Sequence, residues 1–165
     1  MIIPEIIKHF GESPLEKHAR IPEKYKNNPD AKAACVWVGS NLSLREKSQD
    51  PKLSEMYPFL YCSDSVYPYL IGVYLLRMFD DDRNDVGLGE ATTHFFFFLG
   101  SDDFLQCFRS LSHCQMWLLF ASVSVIDKKR WKERNERVEF YCEELHNRVV
   151  SNLDWVCRDF LYGSS

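Results

Sequence analysis

The stretch VEFYCEELHNRVVSNLDWVCRDF, residues 138–160, decides the fold class. Its apolar residues Val138, Tyr141, Cys142, Leu145, Val149, Leu153, Val156 and Phe160 lie three or four apart wherever they are not adjacent. A helix of 3.6 residues per turn gathers such positions on one face, so the spacing predicts a long amphipathic helix with one buried stripe. That stripe needs apolar partners, and the preceding chain offers them in helical form. Residues 128–137 read as a charged turn and helix start. Residues 113–126 are apolar on nearly every side, as a central helix would be, and Ser112 followed by Gln115 has the capping-box spacing. Helices 138–160 and 113–126 are therefore expected to pack together.

Further outward the pattern stays helical. Ser101 or Asp102 can cap a segment 104–111. Residues 90–99, with the run Phe95-Phe96-Phe97-Phe98, suit a buried helix between Gly89 and Gly100 better than a strand. Ser63, with Asp64 in the first turn, starts a helix that runs to about Asp80. Its stripe is Val66, Tyr67, Leu70, Ile71, Tyr74, Leu75 and Met78. Pro68 is tolerable near its start, and Gly72 is expected to weaken its interior by ~1 kcal/mol. Asp80-Asp81-Asp82 and Gly87/Gly89 are read as its exit loop. At the other end of the chain, Ile2, Ile3, Ile6, Ile7 and Phe10 mark a short helix closed by Gly11 as a left-handed C-cap. Residues 12–52 are polar and punctuated by Pro14, Pro22, Pro29 and Pro51. They read as a long irregular arm with one short element, 33–38, docked by Trp37. The expectation is one all-α domain, 1–165: a bundle of five or six helices with a helical core, 53–165, and an irregular arm, 12–52. Its core should include Leu70, Tyr74, Phe97, Leu105, Trp117, Phe120, Leu145 and Val149.

Composition narrows the function classes. The 165 residues are 45% hydrophobic and 27% charged, which excludes a mainly disordered chain. No apolar run approaches the roughly 18 residues of a membrane span. Met1-Ile2-Ile3-Pro4-Glu5 lacks the basic start of a secretory signal, so a cytoplasmic location is expected. Six cysteines (35, 62, 107, 114, 142 and 157) contain no CxxC and read as reduced, buried thiols. Net charge is -4, and the negative excess sits in residues 56–113, with 3 basic and 8 acidic groups. A negative field there disfavours nucleic acid and anionic lipid and favours a basic partner.

Candidate chemical motifs are incomplete. Asp81, Asp82 and Asp85 have DDxxD spacing, but a Mg²⁺–diphosphate site needs a second motif on a facing helix. Glu143 and His146 form one Glu-x-x-His where a di-iron bundle needs two. Cys142 and His146, with Cys107, His113 and Cys114, lack the spacing of any zinc ribbon or finger. Lys128-Lys129-Arg130-Trp131-Lys132 resembles a nucleic-acid patch, but Glu133, Glu136 and Glu139 follow at once. The expectation is no metal, no cofactor and no catalytic residue.

Residues 61–76, Tyr-Cys-Ser-Asp-Ser-Val-Tyr-Pro-Tyr-Leu-Ile-Gly-Val-Tyr-Leu-Leu, and Leu111-Ser112-His113-Cys114-Gln115 carry one resemblance. They are similar to a family of small bacterial proteins of unassigned chemistry. Its motif is F-L-S/T-x-x-A-F-x-Y-Y-L-P-A-Y-L, followed further on by L-S/T-x-x-Q. The likeness covers 57–126; Gly72 stands where the family has Pro, and Tyr61 replaces Phe. The resemblance implies a fold and a bacterial origin more than an activity.

Two function classes follow. The first is an immunity-type protein that neutralises a cognate toxin by presenting acids to its basic cleft. Its binding residues would be Asp80, Asp81, Asp82, Asp85 and Glu90, with Tyr57, Tyr61 and Tyr67 as aromatic anchors. The second is a small enzyme, in which two or more of Asp64, Asp81, Asp85, Glu90, His94, His113 and His146 would converge in a pocket. A non-catalytic subunit or scaffold, and a homodimer, stay open.

Overall fold

Local capping signals set where the helices begin. The structure, a computed structural model, describes residues 2–11, 20–84, 90–125 and 143–163. Among them the chain is helical and has no strand. The helices are α1 (Ile2–Phe10), α2 (Pro29–Val38), α3 (Leu44–Gln49), α4 (Pro58–Tyr61), α5 (Tyr67–Asn84), α6 (Glu90–Leu99), α7 (Asp102–Cys107), α8 (His113–Val125) and α9 (Glu143–Tyr162). The all-α expectation holds, with more and shorter helices than the five or six expected. At α2, Asn28 Oδ1 accepts from the N–H groups of Asp30 (2.8 Å) and Ala31 (3.2 Å). Ser43 and Glu46 form a full capping box on α3. Ser101 Oγ accepts from the Phe104 N–H at 3.4 Å. The expected box on α8 is present: Ser112 N–H donates to Gln115 Oε1 (2.9 Å), and Gln115 N–H to Ser112 Oγ (3.2 Å).

The centre of the fold is α5. Its residues 69–76 are buried on every side, and it packs against α1, α3, α6 and α8. This corrects the expectation that 113–126 is central. On α8, Met116, Leu119 and Ser122 are buried, while Cys114 and Trp117 are exposed. Uniform apolarity carries no stripe to say which side is covered. The expected packing of α8 on α9 is confined to a few rings, and each helix has its main contact elsewhere. Helix α9 lies on α6, where Leu145 and Val149 approach Gly100, and α8 lies on α1. The rings of His113 and Trp117 on α8 do meet Phe160 of α9, at 4.7 and 6.4 Å.

Gly72 is the contact point of α1 with α5. A Cβ built there would stand 2.3 Å from Phe10 Cβ and 2.9 Å from its Cγ. The residue expected to weaken α5 is thus what lets the two helices touch. Gly11 closes α1 by donating its N–H to the Ile7 carbonyl (2.8 Å), and without the left-handed turn expected of it.

Residues 20–52 are not an irregular arm; residues 12–19 lie outside the described residues. Pro29 and Pro51 open helical turns at the first position, where no N–H is needed. Trp37 is buried as expected, and its Nε1 donates to Asp50 Oδ2 at 2.8 Å. Beside it Lys47 is fully buried. Its Nζ donates to the carbonyls of Val38 (2.7 Å) and Ser40 (3.1 Å) and to Tyr69 Oη (3.1 Å), fastening α3 and the end of α2 to α5. In the core, Leu70, Tyr74, Leu145 and Val149 are buried, and Leu105 and Phe120 are half-buried. Phe97 and Trp117 are corrections: both are exposed, at 44% and 60%. A helix with a four-phenylalanine run covers more than its one packed face, and Phe97 is the residue left outside.

Two outcomes follow from these contacts. Gly72→Ala should lower the unfolding free energy in denaturant by roughly 1–3 kcal/mol through overpacking, where an open helix site would gain; a gain would remove the close crossing. Burial pulls the Lys47 pKa down from 10.5 to about 8. The native state then loses this proton before the unfolded chain does, so its contribution to stability rises with pH between those two values. Buried thiols and phenols act oppositely, and comparison with Lys47→Met isolates the lysine. The wild-type minus variant stability should grow by roughly 2–4 kcal/mol from pH 8 to 10.5. A flat difference would mean that Lys47 is not buried.

Candidate functional site

Two hollows flank Leu60 and Asp103 where α4, α6 and α7 meet. The first is an aromatic groove of about 220 Å³. Phe59 and Phe98 form its floor, stacked 3.8 Å apart and nearly parallel. One wall is Tyr57, at the entry to α4, whose ring lies 4.1 Å from that of His94. Spacing on α6 explains the rest: His94, Phe97 and Phe98 are three and four apart and share a face. Ser101 and Asp103 close the polar end. Asn152 on α9 holds that end in place, its Nδ2 donating to the carbonyls of Leu99 (3.0 Å) and Ser101 (3.2 Å).

Three large apolar residues of the groove face water: Tyr57 is 47% exposed, Leu60 50% and Phe97 44%. Tyr74 lies beneath them. Its hydroxyl is buried without a hydrogen-bond partner among the described residues, and burial pushes its pKa up, so it stays protonated.

The second hollow is a cleft of about 320 Å³. Arg20 and Lys24 stand on one side, Asp64 and Asp103 on the other, and the thiols of Cys62 and Cys107 between. Burial, with Asp64 and Asp103 nearby, pushes the Cys107 thiol up to about 12. Burial, with Cys35 adjacent, pushes Cys62 up as well. Both are therefore thiols at neutral pH, so any reaction that needs the thiolate is slow there.

The expected site residues separate. Tyr57 lines the groove. Tyr61 is half-buried, its ring edge-on to Tyr25 at 5.2 Å. Tyr67 is a correction: it is buried, and its hydroxyl donates to the Phe59 carbonyl at 2.9 Å, so it braces the groove floor and is not a surface anchor. Asp80, Asp81 and Asp82 belong to the last turns of α5 and not to a loop. Asp85 lies outside the described residues, and Glu90 is the first residue of α6. His94 is one turn beyond Glu90, about 6 Å along the axis. The Tyr57–His94 stack therefore stands one turn from the start of α6 at Glu90. Leu60, Phe97, Ser101 and Asp103 were not foreseen. The available signal was the four-phenylalanine run, which one packed helix face cannot bury.

Of the seven residues considered for catalysis, Asp64 lines the cleft and His94 the groove, and neither hollow unites two of the seven. His113 packs on Phe160, His146 is half-buried on α9, and the side chains of Asp81, Asp85 and Glu90 lie outside what is described. Among the described residues no group of three His, Cys, Asp or Glu could hold a metal. Cys142 and the stretch 126–142, with Lys128–Lys132, lie outside them. Among the described residues no helix is long and apolar enough to cross a membrane. Comparison with protein-family models, with curated proteins and with solved structures finds no match.

Removing the orphaned hydroxyl should help the fold. Tyr74→Phe should raise the denaturant midpoint, by up to about 1 kcal/mol of stability. A loss of more than about 1 kcal/mol would show that the hydroxyl has a partner in the native protein.

Proposed function

We propose that this chain is an immunity-type binding protein that neutralises a cognate toxin with a basic cleft. One observation carries the reading: Tyr57, Leu60 and Phe97 stand exposed around a groove, and His94 in its wall lies one helical turn from Glu90 at the start of α6. Contiguous exposed aromatic surface is uncommon on a protein that works alone, and large aromatics dominate interface energies. An apolar side chain of the partner would seat in the groove. Asp80, Asp81, Asp82 and Glu90, with Asp85 between, would face its basic residues and speed association. The free thiols of Cys35, Cys62 and Cys107 suit a reducing cytoplasm as the place of action. Among the described residues neither hollow unites two of the seven candidate catalytic groups, which supports binding over the alternative of a small enzyme.

The test uses the product of the neighbouring reading frame as the trial partner, with binding followed across a salt series. Tyr57→Ala with Phe97→Ala should weaken affinity roughly 10- to 100-fold with the salt slope unchanged. Asp81→Asn, Asp82→Asn and Asp85→Asn together should slow association and flatten that slope. Full affinity and an unchanged slope in both variants would remove this face from the interface.

A further inference from the structure

We propose that Cys35 and Cys62 form a redox pair that closes to an intramolecular disulfide when the protein meets a peroxide. Their sulfurs are 3.6 Å apart, in van der Waals contact, although the residues are 27 apart in sequence. Cys35 lies on α2. Cys62 follows α4, where its backbone N–H donates to the Pro58 carbonyl at 2.9 Å. The elements α2 and α4 pack directly on each other, so the contact joins two parts of the fold. A disulfide needs the sulfurs at about 2.05 Å, and the 3.6 Å contact already places each as the other's neighbour.

Entry is through the cleft, which Cys62 lines and Cys35 does not. The Cys62 thiolate attacks one oxygen of hydrogen peroxide. The O–O bond breaks, the departing hydroxide takes up the proton released from Cys62 and leaves as water, and Cys62 becomes a sulfenic acid. The Cys35 sulfur then attacks the Cys62 sulfur. The S–O bond breaks, and the hydroxyl leaves as water with the Cys35 proton. Two thiols lose two electrons and two protons, and one peroxide becomes two waters. Burial holds both thiols above their ordinary pKa, so the reaction is slow at neutral pH and speeds up as pH rises. The product ties α2 to the end of α4, the element that presents Phe59 and Leu60 to the groove.

The experiment treats the full chain with hydrogen peroxide, in a Cys114→Ser background that removes an exposed thiol able to cross-link molecules. Digestion without reductant should give the Cys35 peptide joined to the Cys62 peptide. The intact mass should fall by that of two hydrogens. The melting temperature should rise by about 5–10 °C, and dithiothreitol should reverse all three changes. A Cys62–Cys107 link, sulfinic acid on an unlinked Cys62, or Cys35 and Cys62 that both still alkylate after unfolding would each overturn the proposal.

Discussion

The crossing of α1 over α5 at Gly72 is the constraint on which the rest of this structure depends. With no Cβ at that position, Phe10 lies directly on the α5 backbone. The end of α1 is in turn bound to α8, because Gln115 Nε2 donates to the His9 carbonyl at 2.9 Å. On other faces of α5, Lys47 fastens α3 through Tyr69, and Tyr74 stacks on Phe95 of α6 at 5.5 Å. A helix enclosed this completely leaves its neighbours as a single shell, and each has one face to spare.

The groove follows from which of those spare faces are apolar. Because α6 commits Phe95, Phe96 and Phe98 inward, Phe97 is left at the surface. Because Pro58 opens α4, Tyr57 sits at its entry and Leu60 follows one turn later. These three residues converge over Tyr74 and Phe59, and Asn152 on the distant α9 fixes the turn that supplies Ser101 and Asp103. The groove is thus a by-product of core packing, and Glu90 heads the helix that carries His94 and Phe97.

The helical class was legible because periodicity is a local property, and so were the caps at Ser101 and Ser112 and the docking of Trp37. What was not legible depended on partners far away in the chain. Gly72 looks like a weak point until Phe10 is beside it. Lysine is rarely buried, and nothing near Lys47 in the sequence announces the Val38, Ser40 and Tyr69 oxygens that receive it. Pro29 and Pro51 read as breaks when treated as punctuation and as helix starts when their caps are seen. Tyr57 could be picked out as an anchor and Tyr67 could not be excluded, since both are aromatic and only the fold turns one outward. The acids at 80–82 were recognisable as a cluster, but their place in the last turns of α5 was not.

Hydrogen exchange of the full chain, with and without its partner, tests the central claim most directly. The account predicts added protection in 57–60 and 90–103, with α8 and α9 unchanged apart from the turn at Asn152. Protection confined to α8 or α9, with 57–60 exchanging as in the free protein, would contradict it.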